Sequence, residues 1–156
     1  MSELYVRNRQ RIRPINLKLL QSIAATLIDK TCPRDFRVGI LLMGGPEMAR
    51  LNEAFLHHAG PTDVLAFGYT ADHCRSLHGE VFICVDEALR QARRFRTSWQ
   101  KEIVRYLAHG LLHFQGHDDS TPPARQRMKT VENALVRDAA RRFCLSQLAR
   151  GPKVRS

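Results

Sequence analysis

Apolar residues recur along this chain with two periods, 3.6 and 2, and the switches between them mark out its elements. Leu4 to Val6 reads as a short first strand. After Pro14, the positions Leu17, Leu20, Ile23, Ala24, Leu27 and Ile28 fall on one face of a helix. Arg37 to Met43 is almost continuously apolar, as a strand covered on both faces must be. Gly44 and Gly45 end it. Pro46 suits the first turn of a helix and Glu47 its positive end, with Met48, Leu51 and Phe55 facing inward. Thr62 to Phe67 predicts a third strand, and the polar stretch from Thr70 to Ser76 a loop. Val81, Ile83 and Val85 alternate with Phe82 and Cys84, which predicts a fourth strand apolar on both faces. Asp86 is placed to cap a helix that runs to about Arg96. Thr97 and Gln100 have the spacing of a capping box for the next helix, over 98–115, whose apolar face is Ile103, Val104, Leu107, Leu111 and Leu112. Ser120 or Thr121, with Pro122, opens a last long helix. There Met128, Val131, Leu135 and Ala139 face inward, and Arg125, Arg127, Lys129, Arg137, Arg141 and Arg142 populate the other sides.

Strands interleaved with helices in this order predict an α/β layer fold with a mostly parallel sheet. Residues 1–150 are read as one domain, and 151–156 as a frayed tail. The length of 156 residues suffices for one real core. No apolar run approaches the roughly 20 residues a membrane span needs. The first residues contain no apolar h-region, so no signal peptide is expected, and the expected location is the cytoplasm, with no membrane partner. Cys32, Cys74, Cys84 and Cys144 form no C-x-x-C pair and read as reduced thiols.

Charge changes the picture further. The net charge is +10, with 20 arginines against 5 lysines. A small domain this basic favours a polyanionic partner such as RNA, DNA or an anionic membrane surface. Arginine adds a planar fork that binds phosphate in two places at once. The cluster Arg90, Arg93, Arg94 and Arg96 is the candidate set of contacts to such a partner, RNA among the possibilities.

The most specific chemistry lies between His109 and Asp119. His109 and His113 stand at i and i+4, on one face of a helix, close enough for both imidazoles to hold one ion. Gly116 can stop the helix, and Asp119 at i+10 can then return from the loop as a third ligand. Three protein ligands leave a position open for water, the pattern of a catalytic zinc site. His117, at i+4 from His113, is a rival third ligand, while the adjacent His57 and His58 read as loop residues. The ligand set points to hydrolysis or phosphodiester cleavage with one Zn²⁺ ion. A zinc protease has the same ligand spacing but places a glutamate directly after the first histidine as its base. Here that position is Gly110.

Three blocks of the chain resemble the YbeY family of metal-dependent endoribonucleases. Leu51 and Asn52 through Phe55, followed by Pro61, Thr62, Asp63, Val64, Leu65, Ala66 and Phe67, resemble its LNxxYR…TDVLSF segment. Gly79 to Ile83 resembles its G-D-I-x-I strand, and His109 to Asp119 its HGxLHLxGYDH motif. Two departures from the family matter: Asp119 stands where the third ligand is usually His, and Leu56 where the family usually carries Arg, while Glu80 in place of Asp is conservative. The resemblance implies a mixed four-stranded sheet with about five helices packed on it, and a metal site of His109, His113 and Asp119 in a cleft on the helix 98–115. It also implies single-stranded RNA, rRNA precursors or the ribosome as partners, with no nucleotide cofactor, and a role in 3′-end maturation of small-subunit rRNA and in ribosome quality control. A second reading is an RNA- or ribosome-binding assembly factor that keeps the metal with weak or lost cleavage, favoured by Leu56. A zinc hydrolase with another substrate is a third.

Overall fold

The computed structural model describes residues 2–31, 35–56, 63–69, 76–117 and 119–149, without the side chains of Phe55 and Leu56. In chain order the elements are β1 (Glu3–Arg9), α1 (Leu17–Thr31), β2 (Phe36–Met43), α2 (Gly45–Leu56), β3 (Val64–Gly68), β4 (Leu77–Cys84), α3 (Val85–Phe95), α4 (Trp99–Phe114) and α5 (Pro122–Arg142), followed by a 3₁₀ turn over Leu145–Ala149. The predicted loop after Thr70, the tail and Cys32 and Cys74 lie outside the described residues.

The four strands form one mixed sheet in the order β1-β2-β4-β3. β1 and β4 run parallel to β2, with Val6 opposite Ile40 and Ile40 opposite Val81. β3 runs antiparallel to β4, with Leu65 opposite Phe82. β2 is therefore central, and its residues Val38 to Met43 are all buried. Side chains alternate across a strand, so this continuous apolar run needs cover on both faces. Val38, Ile40, Leu42, Val81 and Ile83 pack into the large core built with α1, α4 and α5. Leu41, Met43, Phe82 and Cys84 face the other way, onto a smaller core with Met48 of α2.

α4 is the helix that matters for function, and its position follows from its stripe of Ile103, Val104, Leu107, Ala108, Leu111 and Leu112, all buried. Each large side chain of this kind contributes about 1.5–3 kcal/mol on burial. Gly110 lets the helix approach β4 closely. A Cβ there would stand 2.7 Å from a methyl of Val81. The residue after the first histidine thus has no room for a side chain, so packing alone excludes a protease-type glutamate at this position.

Several local expectations shift. Val85 starts α3 instead of ending β4, and the residue before the helix is Cys84, not Asp86. Asp86 instead accepts a hydrogen bond from the backbone N–H of Gly45, at the start of α2. Its carboxylate is committed to a helix 41 residues away in sequence, a long-range partner that propensity does not encode. The cap of α4 is Ser98, whose hydroxyl accepts from Lys101 N–H at 3.1 Å. Thr97 donates to Glu102 at 2.7 Å, so no Thr97–Gln100 box forms. Thr121 caps α5, accepting from Ala124 N–H. Val131 is exposed, against the expected inward face, and Glu132 beside it is buried. β1 and β4 are both longer than their apolar cores suggested, because ladder hydrogen bonding extends into polar residues.

Candidate metal centre

The buried stripe of α4 fixes the rotation of the helix, and this turns His109 and His113 to a half-buried face between β3 and α5. The two rings meet edge to face, with their Nε2 atoms 3.1 Å apart. The helix then ends in a Schellman arrangement. The N–H of Gly116 bonds to the carbonyl of His113 and that of His117 to the carbonyl of Leu112, both at 3.1 Å. Gly116 makes this possible with φ +89°, a conformation that side-chain-bearing residues rarely adopt. The reversed chain brings Asp119 back toward the helix, its Oδ2 3.9 Å from Nε2 of His109.

One ligand atom from each of His109, His113 and Asp119 lies within 4.8 Å of the others. Ligands about 2.0–2.1 Å from a tetrahedral ion stand about 3.3 Å apart. The imidazole pair is already at that separation, and the exposed Asp119 needs only a small approach. Two nitrogens and a carboxylate oxygen are the donor set zinc takes. His117 is not in this group. It lines a separate small depression with Gln115, Gly116, Ala124 and Arg127. His57 and His58 fall outside the described residues.

The other nitrogen of His109 completes the argument. Nδ1 is 2.9 Å from Oε2 of Glu132, a buried carboxylate of α5. A carboxylate only accepts, so Nδ1 carries the hydrogen and Nε2 is left with its lone pair toward His113 and Asp119. The other oxygen of Glu132 lies 3.7 Å from Arg105, whose guanidinium also reaches Glu102 and Asn133. Burial works to lower the pKa of His109, but the bond and charge of Glu132, with Asp63 and Asp119 adding to them, hold it above its ordinary value. Asp63 is pushed up by burial, against the Val64 N–H and the charge of His109.

Two cavities meet at His109. One of about 420 Å³ is walled by β3 and the end of α4, including Val64, Leu65, His113 and Phe114. The other, about 480 Å³, lies between the end of α3, α4 and α5, and is lined by Asp63, Asp119, Glu132 and several cations. The candidate ligands therefore sit at the junction of a groove open on both sides.

The profile of the endoribonuclease YbeY family matches residues 5–140. This chain belongs to that family. It is 30% identical over 139 residues to the endoribonuclease YbeY of Chlorobium luteolum, covering 89% of this chain and 99% of that protein. It is 30% identical over 142 residues to that of Syntrophotalea carbinolica, covering 86% and 94%. Its fold superposes on the solution structure of TM1509 from Thermotoga maritima with a TM-score of 0.67 at 21% identity, over 98% of this chain and 99% of the other.

Within this family member, three of the candidate RNA-contacting arginines, Arg90, Arg93 and Arg94, lie on α3, and Arg96 caps its end. All of them are exposed. Arg90 is paired with Glu87 at 2.8 Å, and none of the four lines either cavity. Two further residues, Asp63 and Glu132, stand beside the centre without belonging to the predicted ligand set. Asp63 lies within the TDVLSF-like segment. Glu132 falls on the stripe of Met128, Leu135 and Ala139. A lone carboxylate on an otherwise apolar stripe is the signal that marks it.

Proposed function

We propose that this chain is a zinc-dependent endoribonuclease specific for single-stranded RNA, acting in the cytoplasm on rRNA precursors, in 3′-end maturation of small-subunit rRNA and in ribosome quality control. The observation that carries this reading is the convergence of His109, His113 and Asp119 within 4.8 Å at the junction of two open cavities. Family membership supplies the class of reaction, since its relatives are endoribonucleases by name. The +10 charge favours a polyanionic substrate.

His109, His113 and Asp119 would hold the ion. When bound, zinc brings the pKa of a coordinated water to about 7 and polarises phosphoryl oxygens. The chain's own contributions are positional. Glu132 keeps the proton of His109 on Nδ1 and the ring in one orientation. The Schellman turn at Gly116 sets the return of Asp119. The two cavities, of about 420 and 480 Å³, open beside the ligands and offer room for an extended strand. Arg90, Arg93, Arg94 and Arg96 are assigned to the incoming strand beyond the cavities, where exposed guanidinium groups can follow phosphates.

The test is incubation of the purified protein with single-stranded rRNA fragments, with and without a chelator. Chelator-sensitive cleavage that His109→Ala and His113→Ala abolish supports the proposal. Cleavage that survives both substitutions overturns it. Leu56 favours the second reading, an RNA-binding assembly factor that keeps the metal with weak or lost cleavage. Zinc and RNA binding without cleavage, in wild type and Leu56→Arg alike, would establish that reading instead.

A further inference from the structure

The apolar stripe of α3 runs through Val85, Ala88 and Ala92, all buried, and its next position is Phe95. By phase the ring belongs to the inward face, yet it is 60% exposed. It projects past the edge of the core into the 480 Å³ cavity that ends at His109 and Asp119. The helix stop fixes it there: Arg96 takes the left-handed conformation, φ 56°, and the N–H of Thr97 bonds back to the carbonyl of Ala92 at 2.9 Å. The guanidinium of Arg94 lies 5.2 Å from the ring centroid and steadies it.

The same cavity is lined by Arg125 and Lys129 of α5. Among the described residues Lys129 has no ion pair, and the guanidinium of Arg125 donates only to the backbone carbonyl of Asp119, at 3.3 Å. Both charges are available to an anion. Arg105, by contrast, is occupied by Glu102 at 3.6 Å and Glu132 at 3.7 Å, and its single charge offsets only part of theirs.

We propose that this cavity is a nucleotide subsite, in which Phe95 stacks an unpaired base and Lys129 and Arg125 hold the neighbouring phosphate beside the metal ligands. The volume falls within the usual range of small-molecule sites, about 300–1,000 Å³. An aromatic face with adjacent free cations is how proteins take single strands, because every base has a π-face and only an unstacked base can use it. The subsite rests on the RNA reading above and deepens it: Phe95 would make unpaired bases the preferred substrate.

The experiment is fluorescence anisotropy of a short, labelled, unstructured RNA with the full chain over a series of salt concentrations. It compares wild type, Phe95→Ala, Phe95→Trp and Lys129→Ala, with inorganic polyphosphate as a base-free competitor. Phe95→Ala should weaken RNA binding about tenfold, Phe95→Trp should retain it, and neither should change competition by polyphosphate. The slope of log K against log salt should be the same for Phe95→Ala and wild type, since stacking releases no counterions. Lys129→Ala should make it shallower by about 0.7. RNA affinity unchanged in Phe95→Ala while Lys129→Ala weakens it would overturn the stacking subsite and leave the nuclease reading intact. Equal losses in Phe95→Ala and Phe95→Trp, or a parallel loss of polyphosphate competition, would also overturn it. Wild type that neither binds nor cuts single-stranded RNA overturns both.

Discussion

Replacing Glu132 by alanine should weaken zinc binding without touching any of the three ligands. The carboxylate lies 2.9 Å from Nδ1 of His109 and is buried. Its loss frees the ring to rotate and to take the other tautomer, in which Nε2 carries the hydrogen and has no lone pair for an ion. Removing a carboxylate that orients a ligating histidine costs about 10–100-fold in affinity, or about 1.4–2.7 kcal/mol. The Nδ1 hydrogen is also left unsatisfied in a half-buried place, which costs about 1–3 kcal/mol of fold stability. Glu132→Gln keeps an acceptor oxygen of the same reach and should lose less. The assay is a chelator-competition titration of the metal-free protein at neutral pH, with circular dichroism to check the fold. Glu87→Gln serves as a control: it removes another buried carboxylate, one bonded to Arg90 and to none of the three ligands, and should leave zinc affinity unchanged. Zinc affinity within twofold of wild type in Glu132→Ala, in a protein whose binding His113→Ala destroys, would refute the reasoning.

The remaining predictions are of four kinds. Asp119→Ala should reduce bound zinc sharply and His117→Ala should not, as read by metal analysis of the purified variants; the reverse pattern would make His117 the third ligand. Gly110→Ala should destabilise by about 1–3 kcal/mol in denaturant unfolding, because its Cβ would stand 2.7 Å from Val81. If the family arginine stabilises developing charge, Leu56→Arg should speed single-turnover cleavage by up to about 10²–10³-fold; an unchanged rate would mean that another group already fills that role. Burial pushes the Cys84 thiol up to about 11, so it stays protonated in the fold. Its stabilising contribution is complete below about pH 9 and is lost as pH rises through about 11. Native alkylation followed by peptide mass spectrometry should label the exposed Cys144 and spare Cys84.

Much of the fold is legible because local pattern and tertiary role coincide. The continuous apolar run of β2 needs two covered faces and receives them. The stripe of α4 fixes which way His109 and His113 turn, and Gly116 is the one residue type suited to the φ found there. The i, i+4, i+10 spacing thus carries the candidate ligand set by itself, since a helix and its stop are short-range objects.

What depends on distant partners is not written in any window. Asp86 has the chemistry of a cap for its own helix, yet serves Gly45 instead. Val131 turns outward because α5 packs along the stripe of Met128, Glu132, Leu135 and Ala139, which the apolar residues alone leave incomplete. Glu132 meets His109 across 23 residues of sequence, and only the packing of α5 on α4 brings them together. The sheet order, with β4 inserted between β2 and β3, is likewise a choice among pairings that the apolar strands alone permit equally. Periodicity specifies which side of an element avoids water. Which element covers it is settled by the joint packing of all of them, and there the orienting carboxylate and the open aromatic cavity first come into being.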